Sequence, residues 1–137
     1  MSPFWSIDHT ADMGLLVRAR TREELFIEAA KGLVLLLAGE FPVVPAFWRE
    51  LEVEAPEMDL LLVDFLSEIL ALVTVEELVP IKVEIDRLET QSLKARAGFV
   101  RLKDLGGLKR EIKAVTYHGL SLTETASGLE ARLIFDV

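Results

Sequence analysis

The stretch MGLLVRARTREELFIEAAKGLVLLLAG, residues 13–39, changes its apolar period part-way along, and that change decides the fold class. From Met13 to Arg20 it is short and apolar-rich and ends in the alternation Val17, Arg18, Ala19, Arg20, which suits a strand. Thr21-Arg22-Glu23-Glu24 then reads as a capping box, with the Thr21 hydroxyl available to a free amide and Glu24 able to reach back. A helix therefore starts there. Leu25, Ala29, Leu33 and Leu36, with Phe26 and Ala30 alongside, follow helical spacing until Gly39 supplies a stop.

Working outward, Pro42 and Pro45 keep the next residues out of helix. Trp48 to Ala55 sets Leu51, Val53 and Ala55 against Glu50, Glu52 and Glu54, the pattern of a strand with one solvated face, and Pro56 closes it. A second helix is expected from Met58 or Asp59 to Glu77, with Leu61, Phe65, Glu68, Ile69 and Leu72 at spacings that mostly face one way. After Pro80, alternation resumes over residues 81–85, 88–99, 112–125 and 129–137, with turns at Gly106-Gly107 and Ser127-Gly128. This order suits an α+β sandwich in which two main helices cover one side of a mainly antiparallel sheet.

At 137 residues, 51% of them hydrophobic, the chain has the length of one domain, 1–137, with ample material for one core. Its net charge of -8, from 23 acidic and 15 basic side chains, argues against strong direct nucleic-acid binding, which needs clustered Lys and Arg. A basic partner is the better match, because opposite charge speeds encounter. The absence of cysteine excludes disulfides and thiolate chemistry. The N-terminus lacks the basic-then-apolar pattern of a secretory signal, so a cytoplasmic address is expected. The apolar run from Leu60 to Val75 is interrupted by Asp64, Ser67 and Glu68 and reads as buried helix, not a membrane span.

Three groups of residues carry chemistry. Asp8-His9-Thr10-Ala11-Asp12-Met13-Gly14 stands near one end, and Ile134-Phe135-Asp136-Val137 at the other. If the fold brings Asp12, Asp136 and the chain terminus together, they offer oxygen donors only, which hard divalent cations select. Each part alone has a plainer reading, a turn or helix cap for His9 and Asp12 and an exposed edge carboxylate for Asp136. The third group is Glu111, Lys113, Thr116, Tyr117 and His118, where alternation sets Lys113, Val115 and Tyr117 on one face and Ala114, Thr116 and His118 on the other. No nucleophile motif or glycine-rich phosphate loop accompanies it.

Taken together, the chain resembles the archease family from Asp8 to Val137. The markers are His9-Thr10-Ala11-Asp12-Met13-Gly14, Glu23-Glu24-Leu25-Phe26, Leu61-Leu62 to Ile69-Leu70, Ile112-Lys113-Ala114-Val115-Thr116-Tyr117-His118 and the final Asp136-Val137. Met13 departs from the family's usual Ile, and residues 100–110 find no clear match. The resemblance implies an archease-like fold with a divalent metal, calcium first and magnesium or manganese next, held by Asp12, Asp136 and the Val137 carboxylate. Asp8, His9, Lys113 and His118 are then candidates for supporting the metal ligands or touching a partner.

The implied role is a protein activator, not an enzyme. The family serves RtcB-type tRNA-splicing ligases, promoting their guanylylation and repeated turnover. A chaperone of a tRNA methyltransferase or other RNA-processing enzyme is the alternative, and a metal-dependent hydrolase a third, although such sites generally need more ligands and a base.

Overall fold

The computed structural model describes residues 3–8, 12–40 and 44–137, with 5–8 placed by their backbone alone. The elements run β1 (Phe4–Asp8), β2 (Asp12–Ala19), α1 (Arg22–Ala38), β3 (Phe47–Glu54), α2 (Met58–Thr74), β4 (Leu78–Leu88), β5 (Ser92–Arg101), a 3-10 turn at Leu102–Leu105, β6 (Ala114–Thr125) and β7 (Gly128–Asp136). They form a four-stranded sheet in the order β1-β2-β7-β6 and a three-stranded sheet in the order β3-β5-β4. Every strand pair is antiparallel.

The expected α+β class holds, but the helices do not cover one side of a single sheet. α1 packs on β2 and β4, and α2 on β6 and β4, so the helix pair touches both sheets. That placement explains why both helices are apolar on more than one face. α1 buries Phe26, Ala30 and Val34 besides Leu25, Ala29 and Leu33, and α2 buries Leu62, Leu66 and Val73 besides Leu61, Phe65 and Ile69. Phe26 and Phe65 meet at 5.9 Å between ring centroids, joining the two helices at the centre of the core.

The capping box at α1 forms. Thr21 Oγ1 accepts from the Glu24 amide at 3.1 Å, and Glu24 Oε2 accepts from the Arg20 amide, one residue earlier than the ideal motif. Gly39 ends the helix at φ 82, a conformation open to glycine.

Several boundaries and faces differ from expectation. Glu68 is exposed, and Leu36 is only half-buried. α2 stops at Thr74 instead of reaching Glu77, whose φ of 57 is incompatible with helix. Pro80 lies inside β4, an edge strand of its sheet, where a missing amide is tolerated. The unforeseen turn at 89–91 separates β4 from β5. Among the described residues no helix is long and apolar enough to cross a membrane.

Candidate functional site

Two of the sequence-predicted ligands are brought face to face. In the register of β2 and β7, Asp12 stands opposite Asp136, with Ala114 of β6 on the far side of Asp136. Residues 12 and 136 are 124 apart in the chain, yet adjacent rows of one sheet make them neighbours. The alternation also fixes their direction. Met13, Leu15 and Val17 on β2, and Phe135, Leu133 and Ala131 on β7, are buried in the core. Asp12 and Asp136 therefore project from the opposite, helix-free face.

Asp12 is half-buried and Asp136 exposed, and neither carboxylate has a hydrogen-bond or ion-pair partner among the described residues. Like charges directly opposite on a sheet repel by a few tenths of a kcal/mol to about 1 kcal/mol. A cation shared between them reverses the sign of that interaction. Val137 follows Asp136 and is 43% exposed. The Lys113 amide donates to the Asp136 carbonyl at 2.7 Å, which ties the end of β7 to the start of β6.

The donor set fits a hard divalent ion in kind, since it consists of carboxylates. It does not fill the coordination sphere alone. No group of three His, Cys, Asp or Glu side chains that could hold a metal occurs among the described residues, so the two carboxylates would leave the rest of the sphere to other donors, such as water or a partner. Of the remaining candidates, His9 lies outside the described residues. Asp8 is placed through its backbone, opposite Met13. Lys113 lines a groove with Arg110 and with Thr74 at the end of α2.

His118 is exposed and sits in a large bulge. Thr116 pairs with Ile134 and the next registered pair is Ser121 with Arg132, so Tyr117, His118, Gly119 and Leu120 stand opposite Leu133 alone. The expected alternation of β6 thus ends at Thr116, whose hydroxyl donates to the Ile134 carbonyl at 3.0 Å. Bulges commonly redirect side chains next to functional sites. Here Tyr117 is turned toward α2, and its hydroxyl donates to Asp64 Oδ1 at 2.6 Å. That bond, reinforced by some burial and by the Asp64 charge, raises the phenol above its ordinary 10.0. The Tyr117–Asp64 pair joins residues 53 apart, and no sequence spacing announces it.

Residues 100–110, unmatched in the sequence reading, have a clear place. The Lys109 amide donates to the Leu37 carbonyl at 2.7 Å at the end of α1, and Arg110 Nη1 lies 3.0 Å from Met13 Sδ. Neither helix has a basic residue in its last turn. The 108–113 segment therefore brings Lys109, Arg110 and Lys113 to the region where both helix dipoles are negative.

The archease protein family matches residues 4–137. The chain belongs to the archease family. It is similar to protein archease of Methanosarcina barkeri, 35% identical over 137 residues that cover 96% of this chain and 93% of the relative. Protein archease of Thermococcus kodakarensis is 38% identical over 125 residues, 88% of each chain. Among solved structures, the solution structure of Methanobacterium thermoautotrophicum protein 1598 aligns over all of both chains with a TM-score of 0.78 and 26% identity. An archease of Thermotoga maritima shares the fold with a TM-score of 0.66 at 22% identity, covering 96% of this chain and 94% of that one. Among the described residues, the archease markers fall at the start of β2, in α1 and α2, at and just before the start of β6, and at the end of β7. The family match also spans residues 100–110, which showed no marker.

Proposed function

We propose that this protein is an activator of an RtcB-type RNA ligase, promoting guanylylation and repeated turnover in tRNA splicing, and that Asp12, Asp136 and the Val137 carboxylate form its working tip around a divalent ion, calcium first. The observation that carries this reading is the Asp12–Asp136 pair, which has no side-chain partner among the described residues and is set in register at the start of β2 and the end of β7. The Thermotoga maritima relative is described as a possible chaperone, a role of the same non-enzymatic kind.

A bound ion would neutralise phosphate charge, the main requirement of phosphoryl transfer. The chain's own contribution is placement. The β2–β7 register holds the two carboxylates side by side, and the Lys113–Asp136 backbone bond steadies the last strand. The net charge of -8 favours encounter with a basic, RNA-binding enzyme.

The test is multiple-turnover RNA ligation by such a ligase with GTP and divalent metal, adding wild type or Asp12→Asn. Stimulation by wild type and little by the variant, with the variant folded, supports the reading. Equal stimulation by both removes the tip from the mechanism. No stimulation by wild type directs the search to another partner, a tRNA methyltransferase first.

A further inference from the structure

We infer that the Tyr117 bulge of β6, clasped to Asp64 of α2, is the anchor of a docking surface for a basic protein face that presents an arginine. The inference rests on the ligase reading above, since it takes the ligase as that partner. Tyr117 is 57% exposed although its hydroxyl is fixed at 2.6 Å on Asp64. An exposed aromatic held in one orientation loses little conformational freedom on binding, which is what marks Tyr among interface anchors.

The charge on the helix it clasps is one-sided. α2 contains Asp59, Asp64 and Glu68 and no Lys or Arg. Asp64 and Glu68 are one turn apart, and Glu68 is exposed. Asp64 spends Oδ1 on the tyrosine and keeps Oδ2 as an acceptor, so an incoming guanidinium can lie over the Tyr117 ring while pairing with that carboxylate. A lysine lacks the planar fork that suits arginine to doing both at once.

The bulge is near the strand end that carries the carboxylates, but on the α2 side of the sheet, whereas Asp12 and Asp136 project from the helix-free side. Tyr117 lies three residues along β6 from Ala114, which is registered with Asp136. Within the four-residue bulge Gly119 adopts φ 68, and a Cβ there would come within 3.0 Å of Ile134 Cγ1.

The experiment is a titration of the purified RtcB-type ligase with this protein at low salt, measuring affinity by calorimetry and the concentration that gives half-maximal ligation. Tyr117→Ala is expected to weaken binding about 30-fold, the scale of an interface anchor. Tyr117→Phe, which keeps the ring, is expected to lose less, and Asp64→Arg at least as much as the alanine variant. Thermal unfolding of each variant shows that the fold survives. Wild-type affinity in both Tyr117→Ala and Asp64→Arg overturns the docking site while leaving the ligase reading intact, and so does a lost plateau with unchanged affinity. A wild-type protein that neither binds nor stimulates the ligase overturns the ligase reading and this inference with it.

Discussion

Asp12 faces Asp136 across β2 and β7 with no cation from the described residues between them. This makes the effect of neutralising Asp12 depend on metal in sign as well as size. In a chelator, Asp12→Asn relieves repulsion and is expected to stabilise the fold slightly, by up to about 1 kcal/mol. With calcium at about a hundred times its dissociation constant, wild type gains about 2.7 kcal/mol by mass action and the variant gains little. Urea unfolding of both proteins with and without calcium measures the crossing. A variant stabilised by calcium as much as wild type would remove Asp12 from the site.

The local grammar of the chain carried much of this arrangement. Thr21, Glu24 and Gly39 bound α1, and the alternation of β3 put Leu51 inside with Glu50 and Glu52 outside, because caps and pleats act between near neighbours. What sequence could not supply was long-range placement. β1, a short strand that pairs only with β2, was not among the expected elements. The helices looked like covers for one sheet because a burial pattern does not say which sheet lies against which face. Asp12 and Asp136 stood out in the sequence as candidate oxygen donors, but their opposition needed the β2–β7 register. Tyr117 stood out as part of a polar cluster, but its partner Asp64 appeared only as an interruption in an apolar run.

The Phe26–Phe65 contact predicts where the core is least tolerant. Both rings are fully buried and their centroids are 5.9 Å apart. Phe65→Ala leaves a cavity between α1 and α2 and is expected to cost about 3–5 kcal/mol, while Phe65→Leu costs much less. Denaturant unfolding of the two variants gives the comparison.

The 108–113 segment predicts a charge effect at the end of α1. Lys109 is held at the C-terminal end of α1 by its amide bond to the Leu37 carbonyl. Lys109→Glu places a negative charge near the negative end of the helix dipole and is expected to lower stability by about 0.3–1 kcal/mol at low salt. The difference from wild type should shrink as salt rises, since the effect is screened. A cost independent of salt would assign the residue a packing role instead.

Gly128 predicts a steric limit at the β6–β7 turn. It adopts φ 149, and a Cβ there would fall on the Ala19 carbonyl oxygen and come within 3.0 Å of the Arg20 Cα. These are backbone atoms, so no side chain can swing aside. Gly128→Ala is expected to cost more than about 1 kcal/mol. By contrast, Gly107→Ala, where nothing lies within 4 Å of the added carbon, meets only the strain of φ 85. The ratio of the two costs, read from thermal unfolding, separates collision from backbone strain.

The Tyr117–Asp64 bond predicts an alkaline dependence of defined sign. Its hydrogen bond favours the protonated phenol and raises it above the ordinary 10.0. A group raised in the folded state contributes its full stabilisation below the unfolded value and loses it as pH climbs through the folded one. Wild type should therefore exceed Tyr117→Phe by a constant margin from about pH 7 to 9. Above about pH 10 the margin should shrink and then reverse, as the phenolate meets the Asp64 carboxylate. The exposed ring makes the margin small, because solvent screens the pair. Urea midpoints of both proteins at about pH 8 and pH 11 decide the matter: an unchanged margin at the higher pH would mean that the 2.6 Å bond contributes nothing to folding in solution.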